Sequence, residues 1–189
     1  IDSGDVPKQW REAKVVPLFK KGAKGKPENH RSVSLTCAVC KVMESILRDI
    51  ITEHLISNQL INLSQHGFMP DRSCQTNLLE FLDKLFAMLD DNEPVDIVYL
   101  DFSRAFDKVS HAKLIQKLDN HGIKGKIQDW IKSWLRDRTQ YVEIKGKRSE
   151  TRAVKSGVPQ ESVLGPLLLI IYINDLDYAA VMNIIRKFA

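Results

Sequence analysis

The sequence predicts an α+β fold, on three observations. Apolar residues recur at three and four positions through several long stretches, the period of a helix, while shorter runs keep the two-residue period of strands. The two kinds of stretch are interleaved without the regular alternation that builds a doubly wound parallel sheet. Neither a Gly-x-Gly-x-x-Gly nor a Gly-x-x-x-x-Gly-Lys loop is present, which disfavours dinucleotide-binding and P-loop architectures.

The elements follow in order. Val15 to Phe19 reads as a short strand, with Pro17 marking an edge or a bulge. The loop bearing Lys20, Lys21, Lys24 and Lys26 is then a hairpin tip or flap. From Lys41 the pattern turns helical, with Met43, Ile46, Leu47, Ile50, Ile51 and Leu55 forming one broad stripe. A turn-rich piece from His66 to Ser73 precedes a second helix carrying Leu78, Leu82, Leu85, Phe86 and Leu89. Asn92-Glu93-Pro94 ends it. Val95 to Phe102 predicts a strand covered on both sides, with Val95, Ile97 and Tyr99 on one face and Val98, Leu100 and Phe102 on the other. Leu114, Ile115 and Leu118 mark a helix with Gly122 at its C-terminal cap. Ile127, Trp130, Ile131, Trp134 and Leu135 mark another, whose single-face spacing makes the Trp pair core rather than a stacking platform for bases. Tyr141–Lys145 and Glu150–Val154 read as strands joined through Gly146-Lys147, and Val163–Leu176, apolar almost all round, as a buried helix.

Composition narrows the class. With 43% hydrophobic residues in 189, the chain buries a real core in one domain or two small subdomains. Its longest apolar run, Val163 to Ile173, is too short to cross a bilayer, and the N-terminus lacks the pattern of a secretion signal, so an intracellular protein off the membrane is expected. Cys37, Cys40 and Cys74 are an odd number and read as reduced thiols. Cys37-x-x-Cys40 has no second half to complete a zinc site. Net charge is only +4, but residues 7 to 48 hold ten Lys or Arg against three acids, and residues 132 to 155 hold eight against three. Two such zones suit the walls of a groove for nucleic acid, or a solvated surface.

The chemistry centres on Asp101, a carboxylate at the end of an apolar run. Such a group caps the next turn, pairs with a cation or binds a metal, because an unpaired buried charge costs several kcal/mol. The segment alone leaves these alternatives open.

Four segments stand in order: Glu28-Asn29-His30-Arg31-Ser32-Val33-Ser34-Leu35, Gln65-His66-Gly67-Phe68, Leu100-Asp101-Phe102-Ser103-Arg104-Ala105-Phe106-Asp107-Lys108-Val109-Ser110-His111, and Ser156-Gly157-Val158-Pro159-Gln160. Together they closely resemble the reverse transcriptase domain of LINE-type, non-LTR retrotransposons of the jockey group, over nearly the whole chain; Ile173-Asn174-Asp175-Leu176 adds a fifth element. The resemblance implies a right-hand polymerase, with fingers over residues 1–94 and a partial palm over 95–189. It implies RNA-directed DNA synthesis from an RNA template, a DNA primer and deoxynucleoside triphosphates. By the same resemblance Asp101 and the Phe102 carbonyl hold two Mg²⁺ ions, with Mn²⁺ as a substitute. Phe106 excludes a ribose 2′ hydroxyl, Arg31 and Lys41 contact the triphosphate, and Gln160 lies by the nucleotide sugar and template base. Asp107 matches no metal-binding position. An RNA-templated RNA polymerase is disfavoured by Phe106, since it must admit the 2′ hydroxyl. Nuclear residence is expected from the family's use of chromosomal DNA as primer.

The chain departs from the family at two places. Glu161 stands where the family has glycine, and an acid beside a triphosphate site repels the substrate and strains any positive φ. The Asp-Asp of the third palm motif is expected just after Phe188-Ala189, together with a thumb, so the 189 residues are expected not to polymerise alone. The rival expectation is a non-catalytic nucleic-acid-binding remnant of a decayed element.

Overall fold

The computed structural model describes residues 4–179 and 184–188. Strand β1 (Glu12–Phe19) turns through the lysine loop into β2 (His30–Leu35), an antiparallel pair in register from Lys14 opposite Leu35 to Phe19 opposite His30. The lysine loop is therefore a hairpin tip, as the sequence suggested. The other edge of β1 takes β3 (Thr139–Ile144) in parallel, but only from Glu12 to Val15. Pro17 thus lies beyond the shared edge, where its missing N–H costs no ladder bond. β4 (Lys147–Arg148) and β5 (Arg152–Ala153) both run antiparallel to β3, completing the sheet order β2-β1-β3-β4 with β5 also on β3. The turn residues Lys145 and Gly146 both have positive φ, 48° and 76°, as a two-residue hairpin of this twist requires. The strand expected over Glu150–Val154 shrinks to two residues, and before it Ser149 keeps the β3–β4 register, its N–H donating to the Val142 carbonyl and its Oγ accepting from the Val142 N–H.

Helices supply the core. α1 (Ala38–Ser57) buries Cys40, Glu44, Leu47, Ile51 and Leu55, one face at three- and four-residue spacing. Ile46 and Ile50, counted in the expected stripe, lie on the neighbouring face and are exposed with Val39 and Val42. α3 (His111–Asn120) buries Leu114 and Leu118 and ends as expected, with Gly122 at φ +76° and the Ile123 N–H returning to the Leu118 carbonyl. α4 (Gly125–Leu135) buries Trp130 and Trp134, stacked with ring centroids 6.1 Å apart, so the Trp pair is core. α5 (Gly165–Ile173) is buried almost all round. It gives way at Asn174 to a 3-10 turn, earlier than the expected helix end. Asn174 is held there by Nδ2 donating to the Leu60 carbonyl and Oδ1 accepting from the Asn62 N–H.

One expectation fails on the stretch after α1: the second helix forms, but the strand after it does not. α2 (Cys74–Asp90) forms, capped by a reciprocal Ser73 and Thr76 pair, yet within the described residues none of it is buried. Val95–Phe102 is not a strand, and from Asp96 onward its residues are open to solvent, with Tyr99 85% and Leu100 76% exposed. A strand exists only through a neighbour's hydrogen bonds, and among the described residues no strand lies beside this one. The alternating apolar pattern states a preference for a sheet interior without supplying the sheet. No helix among the described residues is long and apolar enough to cross a membrane.

Candidate active site

The site forms where the segment after Asp101 meets the loop before α5. Val109 and Phe106 accept backbone hydrogen bonds from Gly157 (2.8 Å) and Val158 (2.9 Å). Ser156 Oγ donates to the Asp107 carbonyl at 3.0 Å, and His111 Nε2 to the Gly157 carbonyl at 2.8 Å. A carbonyl can only accept, so His111 carries a proton on Nε2. Gly157 has φ +90°, and a Cβ there would stand 2.8 Å from Asp107 Cα and from the Phe106 carbonyl oxygen. Conformation and space both demand glycine. These contacts fix the 3-10 turn Phe106–Lys108, in which Phe106 is half-buried against the core.

The same loop reaches the sheet. With its amide oriented to satisfy both ends, Gln160 donates to the Ser32 carbonyl at 3.1 Å and accepts from the Arg31 guanidinium at 3.2 Å. The next residue, Glu161, has φ +74° and places Oε1 3.1 Å from the same Arg31 nitrogen. One loop thus gathers three of the expected residues: Phe106 at its start, then Gln160, and Arg31 on β2.

Glu44 anchors the far end of this loop. It is fully buried, its Oε2 accepting from the Val163 N–H (2.8 Å) and the Leu164 N–H (3.2 Å), and its Oε1 from Cys40 Sγ (3.3 Å). Leu164 offers α5 no side-chain cap, so this carboxylate from α1 supplies the negative charge that a helix N-terminus favours. Ser162 Oγ accepts from the Gly165 N–H at 3.0 Å. Burial, reinforced by Glu44, pushes the Cys40 thiol up to about 12. Burial also pulls the Arg138 guanidinium down to about 10, against the opposing attraction of Glu44. Sequence reasoning passed over Glu44 and His111. The signal for Glu44 was an acid at the helical spacing of Cys40, Leu47, Ile51 and Leu55; His111 gave none, since its partner is 46 positions away.

Asp101, Phe102 and Lys41 are not drawn into the cluster. Asp101 and Phe102 are exposed on the unpaired stretch. Their carboxylate and carbonyl oxygens are the hard donors that Mg²⁺ prefers, but they are a fraction of its six-ligand shell. Among the described residues no three His, Cys, Asp or Glu side chains come together to hold a metal. Lys41 lies in the first turn of α1, half-buried, and its ammonium has no ion-pair partner among the described residues.

Residues 19–181 match the family described as reverse transcriptase (RNA-dependent DNA polymerase). The chain belongs to the reverse transcriptase family. The probable RNA-directed DNA polymerase from transposon BS of Drosophila melanogaster is 30% identical over 177 residues, covering 90% of this chain and 19% of that protein. The RNA-directed DNA polymerase from mobile element jockey of the same species is 27% identical, over 93% of this chain and 19% of that protein. The Pol polyprotein of the type-1 retrotransposable element R2 from Popillia japonica is 25% identical, over 92% of this chain and 24% of that protein. The reverse transcriptase domain therefore spans about a fifth of the length of the curated relatives it matches. The likeness to jockey-type elements drawn from four short segments extends along nearly the whole chain.

Proposed function

We propose that the chain is the fingers, about residues 1–94, and part of the palm, residues 95–189, of the RNA-directed DNA polymerase of a non-LTR retrotransposon. The longer protein adds deoxynucleotides to a primer 3′ hydroxyl, which attacks the α-phosphate and releases pyrophosphate. The observation that carries this reading is the single loop tying Phe106, Gln160 and Arg31 together in a chain of this family. Arg31 suits phosphate oxygens, being a fixed fork of donors, and Lys41 adds a point charge. Phe106, held by the Val158 N–H on its carbonyl and by the close approach of Gly157, is rigid enough to reject a 2′ hydroxyl by contact. Gln160 keeps the loop against β2 beside the sugar and template base.

Asp101 and the Phe102 carbonyl would hold the divalent ions, Mg²⁺ or Mn²⁺, whose chemistry is to stabilise the charge on the attacking and leaving oxygens. Asp101 is one carboxylate, and among the described residues no cluster of three acidic, His or Cys side chains completes a shell around it, so a two-ion site needs further oxygen ligands. The RNA template and DNA primer run against the basic surfaces of residues 7–48 and 132–155, and the polymerase works in the nucleus, where chromosomal DNA supplies the primer.

Primer extension on an RNA template by the longer protein tests this. Asp101→Asn should lower the rate by more than the roughly 10–100-fold that loss of an outer-shell partner costs a metal site. An unchanged rate would refute the metal assignment. The second reading, a non-catalytic nucleic-acid-binding remnant, is favoured by one observation, the Glu161 carboxylate on Arg31. It predicts RNA binding without extension by the unaltered protein.

A further inference from the structure

Arg31 already has an anion. Glu161 Oε1 and the Gln160 amide oxygen lie 3.1 and 3.2 Å from the same guanidinium nitrogen, so the loop closes on β2 as a clasp. Among the described residues Glu161 is the acid paired with Arg31, and the pair is open to solvent, the two side chains 48% and 43% exposed. A ligand can reach it without unfolding anything. The left-handed backbone of Glu161, φ +74°, aims the carboxylate back at the sheet, so its position is built into the loop.

We propose that Glu161 is a tethered competitor of the nucleotide's polyphosphate for Arg31. The inference rests on the reading of Arg31 as a triphosphate contact and adds to it the resting state of that contact. In the closed clasp the guanidinium donates to a carboxylate. When a polyphosphate enters, Arg31 exchanges that carboxylate for phosphate oxygens and the loop is released from β2 on its Glu161 side. An exposed pair shifts an equilibrium by only about 1.5- to 5-fold. A polyphosphate carries several charges and can take the fork bidentately, so it wins the exchange. The acid is therefore a weak latch that lowers affinity without closing the site.

The test is calorimetric titration of the 189-residue chain with inorganic tripolyphosphate and, separately, with a deoxynucleoside triphosphate, at low ionic strength where surface pairs are least screened. Glu161→Gln keeps the Cβ and the backbone conformation and removes only the charge. It should bind both ligands about 2- to 5-fold more tightly than the parent chain. Glu161→Gly should bind at least as tightly as Glu161→Gln. Arg31→Ala should weaken binding, and Arg31→Ala with Glu161→Gln should show none of the gain. If Arg31→Ala weakens binding while Glu161→Gln equals the parent, the clasp is refuted and the triphosphate role of Arg31 stands. If Arg31→Ala binds as the parent does, or no variant binds either ligand, both are refuted.

Discussion

Gly157 is the residue on which the site's geometry turns. A methyl group there meets the backbone of Phe106 and Asp107 and a φ of +90°, and backbone does not move aside as a flexible side chain does. Gly157→Ala should cost roughly 2–4 kcal/mol, at the severe end for single substitutions, measured by urea unfolding. A loss under about 0.5 kcal/mol would mean the close approach to Phe106 and Asp107 is not formed in solution. Cys40 offers a second test, through its chemistry. With its thiol pushed up to about 12, almost none of it is thiolate at pH 8, whereas Cys74 is exposed at the head of α2. A maleimide at pH 8 should therefore modify Cys74 and leave Cys40 intact until the chain is denatured, as peptide mass spectrometry would read. The sign for stability is also fixed. The unfolded thiol loses its proton near its ordinary value of 9 while the folded one keeps it, so the Cys40 contribution falls as pH rises from about 9 to about 12. Gly157 was legible in the sequence as a turn glycine, but its close contact was not, because Asp107 lies 50 positions away in the chain.

At the scale of elements, the junction of α1 with α5 and the sheetless segment make opposite predictions. Glu44 caps α5 from another helix, so Glu44→Ala leaves the Val163 and Leu164 N–H groups without their acceptor and should cost roughly 2–4 kcal/mol. Glu44→Gln retains a carbonyl acceptor and should lose clearly less; equal losses in urea unfolding would show that the carboxylate charge, not the acceptor oxygen, holds the junction. Hydrogen exchange reads the other element. Amides of Thr139–Ile144 should be protected and those of Val95–Phe102 should exchange at nearly the unstructured rate, since the first stretch is laddered and the second is not. Protection of Val95–Phe102 would place a partner on it that the described residues do not contain. Helices were the legible elements here. α1, α3 and α4 each announce themselves by a local period and α5 by being apolar almost all round, while α1 shows the limit of the period, since Ile46 and Ile50 obey it and still face solvent. Strand pairing is decided by distant residues, so the parallel contact of β1 with β3 had no local signature and the run at Val95–Phe102 promised more than it forms.

For the molecule as a whole, the sequence pointed to its family more fully than to its shape. The four short segments pointed to the family that the comparison over residues 19–181 establishes, and three of the residues they single out meet at one loop. What they left dark was the relation between segments: the ties of Val109 to Gly157 and of Phe106 to Val158, the Glu44 cap, and the Glu161 carboxylate on Arg31. Each joins residues more than 45 positions apart, and no periodicity reports contacts at that range. The central claim is that this junction is a nucleotide site selecting deoxyribose through Phe106. It is tested most directly in the longer polymerase by comparing ribonucleotide with deoxynucleotide incorporation before and after Phe106→Ala. The account predicts that the ratio rises at least about tenfold, the least that one excluded group is worth in a shaped pocket. A ratio left unchanged, with deoxynucleotide incorporation intact, would contradict it.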